Sequence, residues 1–329
     1  MKIRSPASTA RSKAGCATDS LTTEGERLDR YLVRLGWATS RRAAKDLIFA
    51  GRVRVNGHRY RKGEPITPGD RVEVEDAPAP EQPLAPNPNL AIALLYEDPA
   101  MLVVDKPGML PCHPLRPDER GTVMNAVAAR YPETASAGDK PLEGGLVHRL
   151  DNGTSGALIV ARTRAAFTIL RTAIRSAGVT RRYRALAAGR LDRAIEIDAP
   201  IAHHPKNPRR MVVVGAGPDD PSSAAATPHR SAARPAFTRI EPIDYVGDFT
   251  LADVLPRSGS RHQIRLHLAS IGHPIAGDEL YGGPPLDGLA RGRFWLHLAE
   301  IALDAPAGPR VTVSAPLAAD LAAAIARLA

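Results

Sequence analysis

Apolar residues recur at Leu28, Tyr31, Leu32 and Leu35, the spacing of one helical face, and Gly36 follows as a stop. A second helix is predicted from Arg41 to Ala50, with Ser40 as its cap, Ala43, Ala44, Leu47 and Ile48 inward and Gly51 past its end. Two strands follow, Val53 to Val55 and Arg71 to Val74, with Asn56-Gly57 and Pro68-Gly69-Asp70 as turn signals. Beyond residue 90 the pattern mixes both periods. Ala93 to Tyr96, Met101 to Val104, Ala157 to Ala161, Arg182 to Ala187 and Phe249 to Leu255 read as strands. Helices are predicted after Thr122, closed by Pro132, and from Arg164 to Arg175.

The segments without periodicity divide the chain. Residues 1–24 are rich in Ser, Thr, Ala, Arg and Lys and predict a flexible basic tail. Residues 25–76 form a small unit, and 77–89 are a Pro-rich linker that punctuates the chain. Residues 90–329 form the larger domain, with a loop-rich insertion near 203–235 dominated by Pro, Gly, Ser, Ala and Asp.

Charge adds a partner to this picture. The chain of 329 residues has a formal net charge of +9. Between Arg27 and Asp76 twelve Lys or Arg oppose seven Asp or Glu, an excess of five, so the small unit holds over half of that charge. A polyanion is the expected partner. No apolar run is long enough for a membrane span, and the first residues lack the apolar core of a signal peptide, so a cytoplasmic protein with no membrane partner is expected. Cys16 and Cys112 are too few for a disulfide framework or a thiolate zinc site.

Common cofactor sites lack their residues. There is no Gly-Lys dipeptide for a phosphate loop, and the single Gly-x-Gly, Gly215 to Gly217, continues Pro-Asp-Asp. Gly153-Thr-Ser-Gly156 has Ala157 where a nucleophile elbow needs a second Gly. His262 and His267 are five apart and cannot share an ion as an i, i+4 pair does. No metal and no cofactor are therefore expected.

Two segments carry charge where apolar neighbours give no reason for it. In Gly145-Leu-Val-His-Arg-Leu-Asp-Asn-Gly-Thr-Ser-Gly156, Asp151 either caps a turn or pairs with Arg149, or else is a carboxylate presented at the mouth of a sheet. Gly259-Ser-Arg-His-Gln-Ile-Arg-Leu-His-Leu-Ala-Ser-Ile-Gly272 predicts a helix capped by Ser260, with Ile264, Leu268 and Ile271 inward. Arg261 and Arg265 would then share a face in its first turn, where a cation opposes the macrodipole unless an anion lies nearby.

Taken together, these segments resemble the RluA-type pseudouridine synthases, which isomerise uridine within RNA. The resemblance rests on Leu95-Tyr-Glu-Asp-Pro-Ala-Met-Leu-Val-Val-Asp-Lys-Pro-Gly108, on His148-Arg-Leu-Asp-Asn-Gly-Thr-Ser-Gly156, on Thr180-Arg-Arg-Tyr-Arg-Ala-Leu186, and on His262-Gln-Ile-Arg-Leu-His267 followed by Gly272-His-Pro-Ile-Ala-Gly-Asp-Glu-Leu-Tyr-Gly282. It implies an α+β fold: a catalytic domain with a mixed, mainly antiparallel central sheet flanked by helices, and a small separate α+β domain. Residues 27–76 are similar to the RNA-binding domain shared by a ribosomal small-subunit protein and tyrosyl-tRNA synthetases.

The resemblance also implies roles. Asp151 is the catalytic carboxylate, Arg265 its partner, Tyr183 the ring on which uracil stacks with a phenol near carbon 5, and Arg149 the side chain that replaces the flipped base. Arg41, Arg42, Lys45 and Arg261 are RNA contacts. One departure is that Ser260 and Arg261 exchange the basic and hydroxyl characters usual before His-Gln, which weakens the assignment of Arg261. Only 4% of residues are aromatic, so phosphate contacts and shape, rather than an extended stacking surface, are expected to grip a structured RNA. Large-subunit ribosomal RNA is favoured and tRNA comes second, with the protein acting as a monomer; a non-catalytic RNA-binding assembly protein is the alternative from another class.

Overall fold

The computed structural model describes residues 16–20, 26–38, 41–60, 65–75, 84–214 and 233–328. They fall into two units, divided between Gln82 and Pro83.

The first unit contains β1 (Cys16–Ser20), β2 (Glu26–Arg27), α1 (Leu28–Arg34), α2 (Arg41–Phe49), β3 (Val53–Val55), β4 (His58–Arg59), β5 (Pro65–Ile66) and β6 (Arg71–Glu75). Its main sheet has the order β1-β6-β3-β4. Leu28, Tyr31, Leu32, Ala44, Val53, Val72 and Val74 form one small core. Asn56 and Gly57 both take positive φ, 52° and 80°, which closes the β3–β4 hairpin. The tail departs from expectation, because Cys16–Ser20 pairs antiparallel with β6. An edge strand is held by backbone hydrogen bonds, so a polar sequence without alternation can form one. The Ser40 cap lies outside the described residues.

The second unit is built on one sheet. Its elements are β7 (Ala93–Glu97), β8 (Met101–Lys106), α3 (Val123–Arg130), β9 (Ser155–Ala161), α4 (Arg164–Arg175), β10 (Thr180–Ala188), β11 (Ile195–Asp198), β12 (Ile201–His203), β13 (Met211–Val213), β14 (Phe237–Val246), β15 (Phe249–Pro256), α5 (Gln263–Ser270), β16 (Leu296–Asp304), β17 (Arg310–Ser314) and α6 (Ala319–Ala326). The sheet runs β11-β14-β15-β10-β16-β9-β8-β7, with β17 on the far part of β16. Every pairing in it is antiparallel except β16 with β9. The fold is thus α+β with a mainly antiparallel central sheet.

β9 is buried along its whole length, which explains its continuous apolar reading. Thr122 caps α3 in a reciprocal capping box with Asn125. Three expectations are corrected here. The end of the Pro-rich linker is docked: Leu84 is buried in the core, the Asn125 side-chain amide donates to the Ala85 carbonyl, and Asn87 N–H donates to the Asn125 carbonyl. The 203–235 insertion begins with structure, a β12–β13 hairpin whose Met211 and Val213 are buried beside Leu266 and Ala269 of α5. Residues 215–232 of it lie outside the described residues. Finally, the helix after Gly259 starts at Gln263, not beside Ser260.

Candidate active site

Asp151 sits in the loop that feeds β9, and five successive carbonyls of this loop are held. Cys112 Sγ donates to Leu150 O at 3.3 Å, and Thr154 N–H closes a turn on Asp151 O at 3.0 Å. Asn152 O accepts from Lys106 Nζ at 3.1 Å and from Met109 N–H at 2.7 Å. Gly153 O accepts from Arg293 Nη1, and Thr154 O accepts from Lys106 Nζ at 2.6 Å. Both cations are buried. Burial pulls the Lys106 pKa down to about 8. Gly153 has no alternative, because a Cβ there would lie 2.5 Å from Gly292 O and 2.6 Å from the Phe294 ring. A rigid loop therefore aims the carboxylate, the condition for catalysis by position.

The partner of Asp151 is Arg265, not Arg149. Arg265 Nη1 donates to Asp151 Oδ2 at 3.0 Å, while Nε and Nη2 donate to the two oxygens of Asp278 at 2.6 and 2.7 Å. Its guanidinium also lies over the Phe294 ring, 4.2 Å from the centroid. Burial opposes its charge, but the Asp278 hydrogen bonds and the charges of Asp278 and Asp151 outweigh burial and hold its pKa above the ordinary value. The anion that an arginine in a first helical turn calls for is a pair of carboxylates from two other segments.

The helix entry explains how Arg265 is aimed. His262 adopts φ 57°, a left-handed conformation, and the chain then turns into α5. Gln263 ties down the preceding loop: its Oε1 accepts from Ser258 Oγ and from Ser260 N–H, and its Nε2 donates to Phe237 O and Thr238 Oγ1. Arg261 consequently lies outside the helix and does not share a face with Arg265. It is exposed and donates to the carbonyls of Pro208 and Arg209, at 3.1 and 3.4 Å, on the β12–β13 connection. His262 Nε2 is 3.9 Å from Asp151 Oδ1, and Nδ1 meets the Tyr281 hydroxyl at 2.9 Å. Burial holds the His262 pKa down at about 4.

Tyr183 lies on β10 opposite a bulge in β16, where Ala299 is the extra residue between the partners of Arg182 and Tyr183. It is buried, and burial, countered by the Arg181 charge and reinforced by that of Asp151, pushes its phenol up to about 12. Arg149, two residues before Asp151, is exposed and makes no hydrogen bond or ion pair among the described residues. His148 Nε2 accepts from Ile159 N–H at 3.0 Å, and burial with the Arg181 charge holds its pKa at about 3. On the first unit Arg42 and Lys45 are exposed on α2, whereas Arg41 donates to Asp29 Oδ2 at 3.1 Å through two nitrogens.

Sequence patterns do not single out Lys106, Asp278, Tyr281 or Arg293. Lys106, Asp278 and Tyr281 stand inside the motifs that carry the resemblance, but nothing local says that they converge on Asp151. Arg293 has no local signal. Among the described residues no group of His, Cys, Asp and Glu is arranged to hold a metal ion.

A half-buried carboxylate held by an arginine that a second, buried carboxylate anchors, in a chain with an appended basic unit, is an arrangement suited to catalysis on a nucleic acid. Residues 100–270 match the RNA pseudouridylate synthase family, and residues 26–72 match the S4 domain. The chain belongs to the RNA pseudouridylate synthase family, isomerases that convert uridine to pseudouridine. It is 35% identical to an uncharacterized RNA pseudouridine synthase of Chloroflexus aurantiacus over 91% of this chain and 89% of that protein. It is 34% identical to ribosomal large subunit pseudouridine synthase D of Yersinia pestis, over 82% and 77% of the two chains. The fold is also that of human RNA pseudouridylate synthase domain containing 4, with a TM-score of 0.56 over 72% of this chain and 92% of that one at 22% identity.

Proposed function

We propose that this enzyme isomerises specific uridines of large-subunit ribosomal RNA, with Asp151 as its catalytic carboxylate. The observation that supports the catalytic reading best is the Asp151–Arg265–Asp278 chain. Asp151 is half-buried, where a carboxylate needs a compensating cation, and a guanidinium anchored from behind by a second carboxylate supplies it. A charged carboxylate is what acting on the nucleotide requires, whereas a passive RNA-binding surface has no use for it.

The other groups take roles around that centre. The ring of Tyr183 supplies the surface for uracil, while its raised pKa keeps the phenol protonated at neutral pH and so disfavours it as the base for the carbon 5 proton. Arg149, exposed and unpaired beside the catalytic loop, fills the place of the base that is flipped out, an exchange that offsets an unstacking cost of a few kcal/mol. Arg42 and Lys45 on the S4 domain contact phosphates. Ribosomal RNA is the substrate by similarity to relatives named ribosomal large subunit pseudouridine synthase D. We take the enzyme to act as a monomer in the cytoplasm; among the described residues no helix is long and apolar enough to cross a membrane.

The test is to map pseudouridine across total RNA from cells with and without the gene, and from cells carrying Asp151→Asn. Loss of one or a few large-subunit sites in both is the expected result. Loss of tRNA sites alone would move the substrate, and an unchanged map would return the chain to a binding role.

A further inference from the structure

Among the described residues of the second unit three arginines are buried, and two of them are fully engaged. Arg265 uses Nε, Nη1 and Nη2 on Asp151 and Asp278, and Arg293 uses the same three nitrogens on Asp320, Ser155 and loop carbonyls. Arg181 differs. It is 5% exposed, yet its Nε and Nη2 have no hydrogen-bond partner, and among the described residues no carboxylate lies within ion-pair distance. Buried donors without partners are rare, and a buried charge without one is costly.

Two neutral groups near Arg181 feel its charge: His148, whose ring is uncharged at neutral pH, and Tyr183, whose phenol is protonated there. Gly259, on the loop that leads into α5, passes so close that a Cβ at that position would lie 2.9 Å from Nη1. Its position also matters, because Arg181 precedes Tyr183 by two residues on β10, a rise of roughly 6.6 Å along a strand. That separation is close to the span between a nucleobase and the phosphate of its own nucleotide.

We propose that Arg181 is a substrate-contacting residue whose guanidinium grips a phosphodiester oxygen next to the flipped uridine. The inference rests on the reading of Tyr183 as the surface for uracil. A permanent buried cation with neutral neighbours calls for a permanent anion, and the phosphodiester is the one that RNA brings. A planar guanidinium suits it, since two of its N–H groups can meet two phosphate oxygens. The interaction orders the target nucleotide from its backbone while Tyr183 holds its base.

The experiment uses the full chain and a synthetic stem-loop copied from the RNA segment that the wild-type enzyme converts. Conversion of the unmodified stem-loop is measured first, and its absence would count against the proposed substrate rather than against Arg181. One linkage at a time on either side of the target is then replaced by an uncharged methylphosphonate, each compared with an RNA carrying only the 2′-O-methyl group that the replacement requires. Affinity and single-turnover rate are read for wild type, Arg181→Met, Arg181→Lys and Gly259→Ala. Neutralising one linkage should cost the wild type about 10- to 100-fold, the range of a hydrogen bond to a charged group. Arg181→Met should lose as much on native RNA and nothing more at that linkage, with partial recovery in Arg181→Lys. Gly259→Ala retains the charge but covers Nη1, so it should show the same loss if Arg181→Met does not fold. Additive losses at every linkage, or wild-type behaviour of folded Arg181→Met or of Gly259→Ala, would overturn the proposal.

Discussion

Asp278 stands behind Arg265 as a buried anchor: it is 1% exposed and accepts two of the guanidinium's hydrogen bonds, at 2.6 and 2.7 Å. This leaves Nη1 of Arg265 for Asp151. The longer, single bond goes to half-buried Asp151, the proposed catalytic carboxylate, and the shorter pair goes to buried Asp278. Asp151 is thereby kept in place by a cation that cannot swing away.

Asp151→Asn preserves size and the loop hydrogen bonds, since those are made by carbonyls. Turnover should fall by roughly 10³ or more, because the lost group acts in the transition state, while RNA affinity stays within a few-fold. Single-turnover pseudouridine formation and a filter-binding isotherm on the same preparation check this. Substantial turnover would remove Asp151 from its role.

Arg265→Met and Asp278→Asn should fail differently. Removing the guanidinium leaves buried Asp278 without its partner, and breaking such a pair costs about 3–5 kcal/mol. Asp278→Asn keeps a shape that can accept and donate, so its stability loss should be smaller while activity still falls through a misaimed Arg265. Thermal melts set beside single-turnover rates separate the two. Equal melting temperatures for Arg265→Met and wild type would contradict the buried pair.

Acid should weaken the fold through His148. Its folded pKa of about 3 lies below its ordinary 6.5, so between these values the unfolded chain takes up a proton that the folded chain refuses. Stability therefore declines as pH falls from about 6.5 toward 3, by at most about 1.4 kcal/mol per pH unit for one group. His262, held at about 4, adds a change of the same sign. His148→Gln can still accept from Ile159 N–H but does not titrate, so its urea midpoint should fall less steeply with acid. Parallel pH dependences would sink the assignment.

Lys106→Met removes the donor that serves Pro107 O, Asn152 O and Thr154 O. Asn152 O keeps its bond from Met109 N–H, whereas Pro107 O and Thr154 O lose this donor; at about 1–3 kcal/mol for a buried carbonyl left without one, a loss of a few kcal/mol is expected. In folded protein at low temperature the catalytic rate should drop more than RNA affinity, because the loop that aims Asp151 is loosened.

Arg42→Ala with Lys45→Ala should weaken RNA binding without altering chemistry at saturating RNA. Each cation withdrawn from a phosphate lowers the slope of log affinity against log salt by roughly 0.7–0.9, so the pair should reduce it by about 1.5. An unchanged slope would show that this face of α2 does not meet the backbone of RNA.

Much of the architecture is legible in the order of residues, because local patterns obey local rules. Thr122 announces a helix start, the apolar run ending at Ala161 announces a buried strand, and Arg164 to Arg175 matches its helix at both ends. Asp151, Tyr183 and Arg265 are legible only through the family resemblance of the motifs that hold them. Strands β16 and β17 do alternate, as Leu296-His-Leu298 and Val311-Thr-Val313, but which strands they join and where α6 docks are set by long-range pairing and packing. What only the tertiary structure decided is which charges meet. Asp151 and Arg265 are 114 residues apart and Gly153 and Arg293 are 140 apart, and no periodicity encodes such pairs. A left-handed His262 puts Arg261 outside the helix that Arg265 occupies, a change of one backbone angle that no side-chain pattern reports. Residue types along the chain determined the fold class and the kind of chemistry; the convergence of distant segments on one loop decided which cation holds the carboxylate, because electrostatics acts through distance in space and not through position in the chain.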